Sequence, residues 1–241
     1  MVRPCLPLVI AHRGASAEAP ENTLAAFRRA LARGADGVEL DVQVTRDGVP
    51  VVFHDASLIR LTGRLGLIAQ STRAGLRAVR VCGEPIPTLA EVLTLTRRRA
   101  VVQVEIKSGV PVAPVVRTVQ RLGAAVVLAS FDVKIVAEAR RLAPRIPRML
   151  IAGGGNGPTR RRARAGTLVP VLAALGASGV SIDYRALRSP AFIAALHRRG
   201  LSVWCWTVND PRVMLRLAFW GADAILSDNP ALLKTTLFGS D

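Results

Sequence analysis

Short apolar runs alternate with amphipathic stretches along the chain. The apolar runs have the length of buried strands, and the stretches between them repeat apolar residues at helical spacing. We predict strands at 8–11, 37–45, 49–53, 101–106, 125–130, 148–151, 179–183, 202–207 and 224–226, and helices at 23–33, 89–98, 111–122, 133–142, 168–175, 190–199, 211–220 and 231–237. The turn Arg46–Gly48 predicts a hairpin, which makes 49–53 an extension and leaves eight strands in the main sheet.

Eight strands that alternate with eight helices predict an α/β fold, the (β/α)8 or TIM barrel, as a single domain over residues 1–241. An open doubly wound sheet is the alternative, but no G-x-G-x-x-G sequence follows the first strand. Residues 56–87 match neither element, and we expect a small insertion there, after the hairpin of the second strand. Ser189, Asp210 and Asn229 each precede a proline, so each is expected to cap a helix.

Composition excludes several classes of protein. Half of the 241 residues are apolar and 21% are charged, which excludes a disordered chain. The most apolar stretch, 168–182, is broken by proline and glycine, so no transmembrane helix is expected. Cys5, Cys82 and Cys205 have no disulfide or zinc spacing. The apolar residues near the start are needed for the first strand, so we do not interpret them as a signal peptide. We therefore expect a cytoplasmic protein.

The net charge of +16 comes almost entirely from arginine. This bias is weak support for nucleic-acid binding, and no specific nucleic-acid partner is expected.

Polar residues stand where the predicted barrel strands end, which in a TIM barrel is the face that carries the active site. They are His12 and Arg13; Glu39 and Asp41; His54 and Asp55; Glu105 and Lys107; Ser130; Asp183; Trp204 and Trp206; and Ser227 and Asp228. Their convergence predicts one site at the barrel mouth.

Three carboxylates, Glu39, Asp41 and Glu105, fall together in this mouth. Their mutual repulsion favours a bound hard cation, Mg²⁺ or Ca²⁺, and the alternative is an ion-pair network with Arg13 and Lys107.

Two of the three histidines, His12 and His54, also lie at strand ends, which suggests a general acid and a general base. His197 lies on a predicted helix and is expected at the surface. The permanent positive charges of Arg13 and Lys107 suit an anionic ligand such as phosphate.

Several spaced motifs resemble the glycerophosphodiester phosphodiesterase family. They are His12-Arg13-Gly14, Pro20-Glu21-Asn22-Thr23, Glu39-Leu40-Asp41, Thr45 with His54-Asp55, Ile86-Pro87-Thr88-Leu89, Glu105-Ile106-Lys107, Ser130-Phe131, Trp206-Thr207-Val208-Asn209 and Ser227-Asp228-Asn229-Pro230. They occur in the family's order and cover essentially the whole chain.

The resemblance implies a TIM barrel that hydrolyses glycerophosphodiesters to glycerol 3-phosphate and an alcohol. It implies a divalent cation at Glu39, Asp41 and Glu105, acid and base catalysis by His12 and His54, and phosphate binding by Arg13 and Lys107. The implied reaction is attack on phosphorus, by way of a cyclic phosphate if the glycerol hydroxyl is the nucleophile.

Other residues have two interpretations. Glu21 and Asn22 either orient the site or only open the first helix, and Trp206 either walls the substrate pocket or fills the core. Asp228 is either catalytic or a helix cap, and Asp183 could support the site. Cys205 alternates with Trp204 and Trp206, so it is expected to face the helices as an inert thiol.

The sequence Gln70–Leu76 departs from the family's usual Asp-Leu-Thr pattern and leaves the helix of the insertion in question. Arg97–Arg99 is expected at the face opposite the active site. Arg160–Arg164 is expected beside the mouth, where it could contact an anionic membrane or remain a solvated loop.

Two rival functions stay open at this stage. One is a lysophospholipase D that acts on lipids with one acyl chain. The other is a silent barrel that only binds phosphate esters or nucleic acid, although such a barrel has no need of both histidines and three carboxylates.

Overall fold

The computed structural model describes residues 6–154 and 164–239. The strands are β1 (Leu8–Ala11), β2 (Gly37–Val44), β3 (Pro50–Val52), β4 (Arg80–Val81), β5 (Glu84–Pro85), β6 (Val101–Ile106), β7 (Val126–Ser130), β8 (Arg148–Ala152), β9 (Gly179–Asp183), β10 (Ser202–Trp206) and β11 (Ala224–Ser227). The helices are α1 (Leu24–Ala32), α2 (Ile59–Thr62), α3 (Arg73–Leu76), α4 (Leu89–Thr96), α5 (Val112–Leu122), α6 (Val133–Leu142), α7 (Ala165–Leu175), α8 (Ala191–His197), α9 (Pro211–Phe219) and α10 (Pro230–Phe238).

Eight parallel strands close into the predicted TIM barrel. They follow the order β1, β2, β6, β7, β8, β9, β10 and β11, and β1 pairs with both β2 and β11 to close the cylinder. The strand β3 pairs antiparallel with β2, opposite Val42–Val44, so it extends the sheet outside the barrel as the hairpin predicted.

Apolar side chains fill two layers. The larger layer lies between the strands and the outer helices, and a smaller cluster that includes Ile10, Met149 and Trp204 fills the barrel interior. Cys205 is fully buried in the outer layer, as its alternation with Trp204 predicted. The alternation of side chains along a strand therefore fixes which residues enter the barrel.

The helix starts follow the capping signals, with one exception. Asp210 and Asn229 accept hydrogen bonds from the backbone amides of Arg212 and Leu232, respectively, and so cap α9 and α10. The predicted cap at Ser189 is wrong, because Pro190 already has helical backbone angles and takes the capping position of α8 without a side-chain bond.

Residues 56–87 form an insertion with a small core of its own. It contains α2, a 3-10 turn at Ile68–Gln70, α3 and the hairpin of β4 and β5. Its apolar residues, among them Leu58, Ile68 and Leu76, pack beneath β3. The stretch that departs from the family pattern still forms a one-turn helix, because the Thr72 side chain accepts a hydrogen bond from the Gly75 amide.

Most of the Arg160–Arg164 cluster lies outside the described residues; Arg164 precedes α7. Within the described ranges, every helix is too short or too polar to cross a membrane.

Candidate active site

A cavity of about 530 Å³ opens where the barrel strands end. The predicted residues that line it are His12, Arg13, Glu39, His54, Glu105, Lys107 and Trp206. Glu21 lines an adjoining cleft that also contains His12 and Arg13. The strand ends thus bring together residues from distant parts of the chain, as the sequence predicted.

The three predicted acidic residues form one buried cluster. Glu39 and Asp41 project from the same face of β2, and Glu105 lies beside Asp41 on the neighbouring strand β6. These residues are 3%, 1% and 8% exposed, and one side-chain oxygen of each lies within 4.8 Å of the other two.

The cations in the mouth neutralise Asp41 most completely. Lys107 Nζ lies 2.6 Å from Asp41 Oδ1, Arg13 Nε lies 3.2 Å from Oδ2, and the Asn22 amide donates to Oδ2 at 2.8 Å. Burial alone raises the pKa of Asp41, but the charges of Lys107 and Arg13 outweigh it and hold that pKa well below its usual value. Part of the alternative ion-pair network is therefore present.

Among the described residues, no lysine or arginine side chain lies within 4.0 Å of a Glu39 carboxylate oxygen. Its Oε2 accepts a hydrogen bond from the Arg13 amide at 3.1 Å, and Nε2 of His12 lies 3.9 Å away. Burial and the charge of Asp41 raise the pKa of Glu39 to about 8. Burial and Asp41 also raise the pKa of Glu105, although Glu105 contacts Lys107.

A divalent cation fits this cluster because three carboxylate oxygens converge with too little positive charge around Glu39. Hard oxygen ligands are those that Mg²⁺ and Ca²⁺ prefer. Glu39, Asp41 and Glu105 are the residues that could hold the ion.

His12 follows β1 directly and has a fixed orientation. Its Nδ1 lies 2.7 Å from Oδ1 of Asp228, which follows β11, the strand paired with β1. Burial lowers the pKa of His12, but the hydrogen bond to Asp228 and the charge of Glu39 raise it above the usual value. Asp228 also accepts from Ser16 and Asn209, whereas Asn229 caps α10, so Asp228 is a site residue rather than the cap.

His54 has a similar partner on the other side of the cavity. Its Nδ1 lies 2.5 Å from Oδ1 of the adjacent Asp55. Arg60, on α2, contacts Asp55 and donates to Glu21 at 2.8 Å, and Glu21 accepts from Arg13 at 3.0 Å. A chain of ion pairs therefore links the surroundings of the two histidines.

The backbone conformation of the β1–α1 loop directs the Arg13 amide into the site. Arg13 has a left-handed conformation with φ of 56°, which turns its amide towards Glu39. Gly14 follows with φ of 81°, and a Cβ there would lie 2.7 Å from the backbone of Ala26 in α1. Only glycine permits this close approach.

Asn22 is buried and makes two hydrogen bonds to Asp41. Its side-chain amide donates to Oδ2, and its side-chain carbonyl oxygen accepts from the Asp41 backbone amide at 3.3 Å. Asn22 thus fixes the orientation of the Asp41 side chain.

Trp206 is half-buried and walls the cavity opposite the acidic cluster. Its ring meets Phe131 edge to face, with 5.7 Å between the centroids. A Cβ at Gly154 would lie 2.7 Å from the Trp206 ring, so the loop after β8 packs directly on the tryptophan. The position fits a wall of the pocket, whereas Trp204 fills the barrel core.

Two other residues considered in the sequence analysis, Asp183 and His197, do not line the cavity. Asp183 pairs with Arg185 at 2.9 Å and caps the following 3-10 turn. His197 is at the surface, as expected, with Nε2 2.9 Å from Asp223.

Sequence reasoning missed Arg60 and the two inward residues Gln103 and Ser181, which line the cavity or its surroundings. Gln103 stands two positions before Glu105 on β6, so strand alternation could have found it. No local signal identifies Arg60, because its partners come from two other segments.

A TIM barrel with two carboxylate-paired histidines and an acidic cluster at its mouth defines a class of protein: a barrel enzyme that acts on an anionic ester. The family model for the glycerophosphoryl diester phosphodiesterase family matches residues 12–232. The chain belongs to that family.

Relatives match over nearly their whole length. A glycerophosphodiester phosphodiesterase of Caldanaerobacter subterraneus subsp. tengcongensis is 32% identical over 94% of this chain and 96% of its own. The crystal structure of a putative family member from Silicibacter pomeroyi has a TM-score of 0.87 and 30% identity, over 98% of this chain and 94% of its own. A phosphodiesterase of Oleispira antarctica in complex with the product sn-glycerol-3-phosphate has a TM-score of 0.85 and 29% identity, over 96% of each chain.

Proposed function

We propose that this protein hydrolyses glycerophosphodiesters to sn-glycerol 3-phosphate and an alcohol, with a divalent cation and with acid and base catalysis by two histidines. The observation that carries the proposal is that His12 and His54 face one cavity, each with an aspartate on Nδ1, beside three buried carboxylates. The product in the Oleispira antarctica structure supports the substrate class. The cytoplasmic location and the single domain expected from the sequence belong to this proposal.

Glu39, Asp41 and Glu105 would hold the cation, either Mg²⁺ or Ca²⁺. When bound, the cation neutralises charge that builds on the phosphoryl oxygens. Arg13 and Lys107 line the same cavity and add fixed positive charge towards the phosphate.

The aspartate partners decide which ring nitrogens handle protons. Asp228 and Asp55 occupy Nδ1 of His12 and His54, which leaves Nε2 of each ring for the substrate. One histidine takes the proton of the attacking hydroxyl, and the other gives a proton to the oxygen of the departing alcohol. If the glycerol hydroxyl attacks, its oxygen bonds to phosphorus as the alcohol leaves, and water then opens the cyclic phosphate.

The two oriented histidines at the mouth argue against the alternative of a silent barrel that only binds phosphate esters or nucleic acid. A binding site needs fixed positive charge, which Arg13 and Lys107 supply, but it does not need two imidazoles oriented for proton transfer. The oriented pair therefore favours catalysis.

The first experiment measures glycerol 3-phosphate release from glycerophosphocholine and glycerophosphoethanolamine with Mg²⁺, Ca²⁺ or EDTA. We expect cation-dependent release that falls by about 10²–10⁴-fold in His12→Ala and in His54→Ala. His197→Ala is the matched control, because His197 also pairs with an aspartate but lies at the surface.

Release that persists in EDTA would contradict the proposed role of the cation, and release that persists in both site variants would contradict the histidines' role. Inactivity on both diesters with activity on a lysophospholipid would favour the lysophospholipase D reading. Inactivity on all three would favour a binding barrel.

A further inference from the structure

The insertion carries an apolar tip that nothing in the described structure covers. Leu65 is 87% exposed, Ile59 52% and Leu67 40%. Single exposed leucines are common, but a group of three on one small loop is not.

The backbone brings these three side chains together. Ser57 and Leu67 form an antiparallel bridge, and the Leu58 amide donates to the carbonyl of Gly66 at 3.0 Å. Ile59 and Leu65 stand directly beside this bonded pair. Leu58 and Ile68 point into the insertion's core, so the tip is anchored from below.

The charge of the insertion favours an anionic partner. Residues 56–87 contain five arginines and one glutamate. Arg64 lies within the apolar tip, and in the described part of the chain no carboxylate lies within 4.0 Å of Arg64 or Arg77. Apolar side chains that alternate with arginine suit the boundary between lipid headgroups and acyl chains.

The tip stands on the same face of the barrel as the active site. Arg60, one residue after Ile59, reaches Glu21 and Asp55 at the mouth. Ser57 and Phe131 line one groove together with His54, and Phe131 is itself 46% exposed. A surface that contacts the tip would therefore also face the mouth.

We propose that the insertion docks on an anionic lipid surface, with Ile59, Leu65 and Leu67 in the headgroup boundary and Arg64 on the lipid phosphates. This docking sets the mouth of the barrel against the surface. It involves no residue of the proposed catalytic site, so it stands or falls separately from the hydrolysis.

The test is co-sedimentation with vesicles of phosphatidylglycerol and phosphatidylcholine and with vesicles of phosphatidylcholine alone. We expect the wild type to bind the anionic vesicles and to bind phosphatidylcholine much more weakly. Leu65→Ser is expected to weaken binding at least about tenfold, because the variant loses the favourable free energy of moving one leucine side chain out of water. Arg64→Gln is expected to weaken binding to the anionic vesicles by about fivefold.

Phe219→Ser is the matched control for the loss of an exposed apolar side chain. Phe219 is 84% exposed but ends α9, just before β11 begins, and so lies at the opposite end of the barrel from the mouth. Its vesicle binding should equal that of the wild type. The far-UV circular dichroism spectrum and the thermal unfolding midpoint should be unchanged in Leu65→Ser and in Phe219→Ser, which shows that both variants are folded independently of any hydrolytic activity.

Three results would overturn the proposal. They are no vesicle binding by the wild type, full binding by Leu65→Ser, and an equal loss in Phe219→Ser. If Arg64→Gln weakens binding to a DNA fragment and Leu65→Ser leaves vesicle binding intact, the surface takes nucleic acid and the lipid proposal is wrong.

Discussion

At the scale of single residues, the carboxylate of Asp228 contacts Nδ1 of His12. Its carboxylate accepts from three groups, and burial is outweighed by these bonds, which lower the pKa of Asp228 to about 2. An ionised carboxylate on Nδ1 fixes the ring and its tautomer and stabilises the imidazolium form. In the proposed mechanism Asp228 is therefore a positioning residue.

We predict that Asp228→Asn lowers kcat by about 10²–10⁴-fold with little change in KM, because the neutral amide holds the ring in place but can donate to Nδ1, which selects the wrong tautomer, and no longer stabilises the imidazolium form. Steady-state kinetics on glycerophosphocholine measures both constants. Asp183→Asn, at the end of another barrel strand, is the control and should retain near-wild-type kcat. A rise in KM without a fall in kcat would instead assign Asp228 to substrate binding.

The site's residue types were readable from the sequence because a strand places every second side chain on one face. That periodicity gave Glu39 and Asp41 as neighbours and put Cys205 outside the barrel. The contact of Asp41 with Asn22 was not readable, since it depends on how two separate segments approach one another.

At the scale of elements, the short helix α2 is tied to the barrel mouth. Arg60 contacts Asp55, which orients His54, and Glu21, which contacts Arg13. A guanidinium can bridge two carboxylates because its donors form a planar fork. The insertion thereby contacts the ion-pair partners of His54 and of Arg13.

Arg60→Met is expected to lower kcat about tenfold while the thermal unfolding midpoint stays nearly unchanged, because Arg60 is 46% exposed and surface ion pairs stabilise a fold only slightly. Activity assays and thermal unfolding measure the two effects. Arg73→Met removes another arginine of the same insertion, paired with Glu91 at 3.8 Å outside the site, and should keep full activity. Equal losses in both variants would mean that the insertion's total charge matters rather than the Arg60 bridge.

Element positions followed well from the pattern, but their ends followed less well. The predicted helix at 89–98 ends at Thr96, because Arg97 leaves the helical region and Arg98 has φ of 60°. The predicted helix at 168–175 begins at Ala165, before its apolar pattern does. Helix ends depend on backbone hydrogen bonds with the surrounding loops, which apolar spacing does not record.

At the scale of the whole molecule, the barrel holds like charges together in its mouth at a cost to its stability. Glu39 is buried beside Asp41, and in the part of the chain that the structure describes no lysine or arginine side chain lies within 4.0 Å of its carboxylate. A cation that binds there should stabilise the folded state only, by about 2.7 kcal/mol at 100 times its Kd. In a chain of this length that is an increase of roughly 5–10 °C in Tm.

We predict that Mg²⁺ or Ca²⁺ raises the Tm of the wild type at pH 8 and that Glu39→Gln abolishes most of this increase. In EDTA at the same pH, Glu39→Gln should unfold at a higher temperature than the wild type, because the neutral amide removes repulsion with Asp41. Differential scanning calorimetry measures both.

Glu138→Gln is the control for the loss of one negative charge, since Glu138 lies at the surface 4.0 Å from Arg141. It should keep the full response to the cation. A cation response of wild-type size in Glu39→Gln would show that the ion binds elsewhere.

The sequence by itself determined the barrel and the residues gathered at the mouth, because strand and helix periodicities and the order of parallel strands are local or topological properties. The family followed from the resemblance of the spaced motifs. Only the tertiary structure decided the partners: Asp228 on His12, Arg60 between Asp55 and Glu21, and an apolar tip on the insertion. The contacts of Asp228 with His12 and of Arg60 with Glu21 join side chains from segments far apart in the chain. They depend on distances of a few ångströms, which the packing of the whole barrel sets and local sequence patterns do not encode.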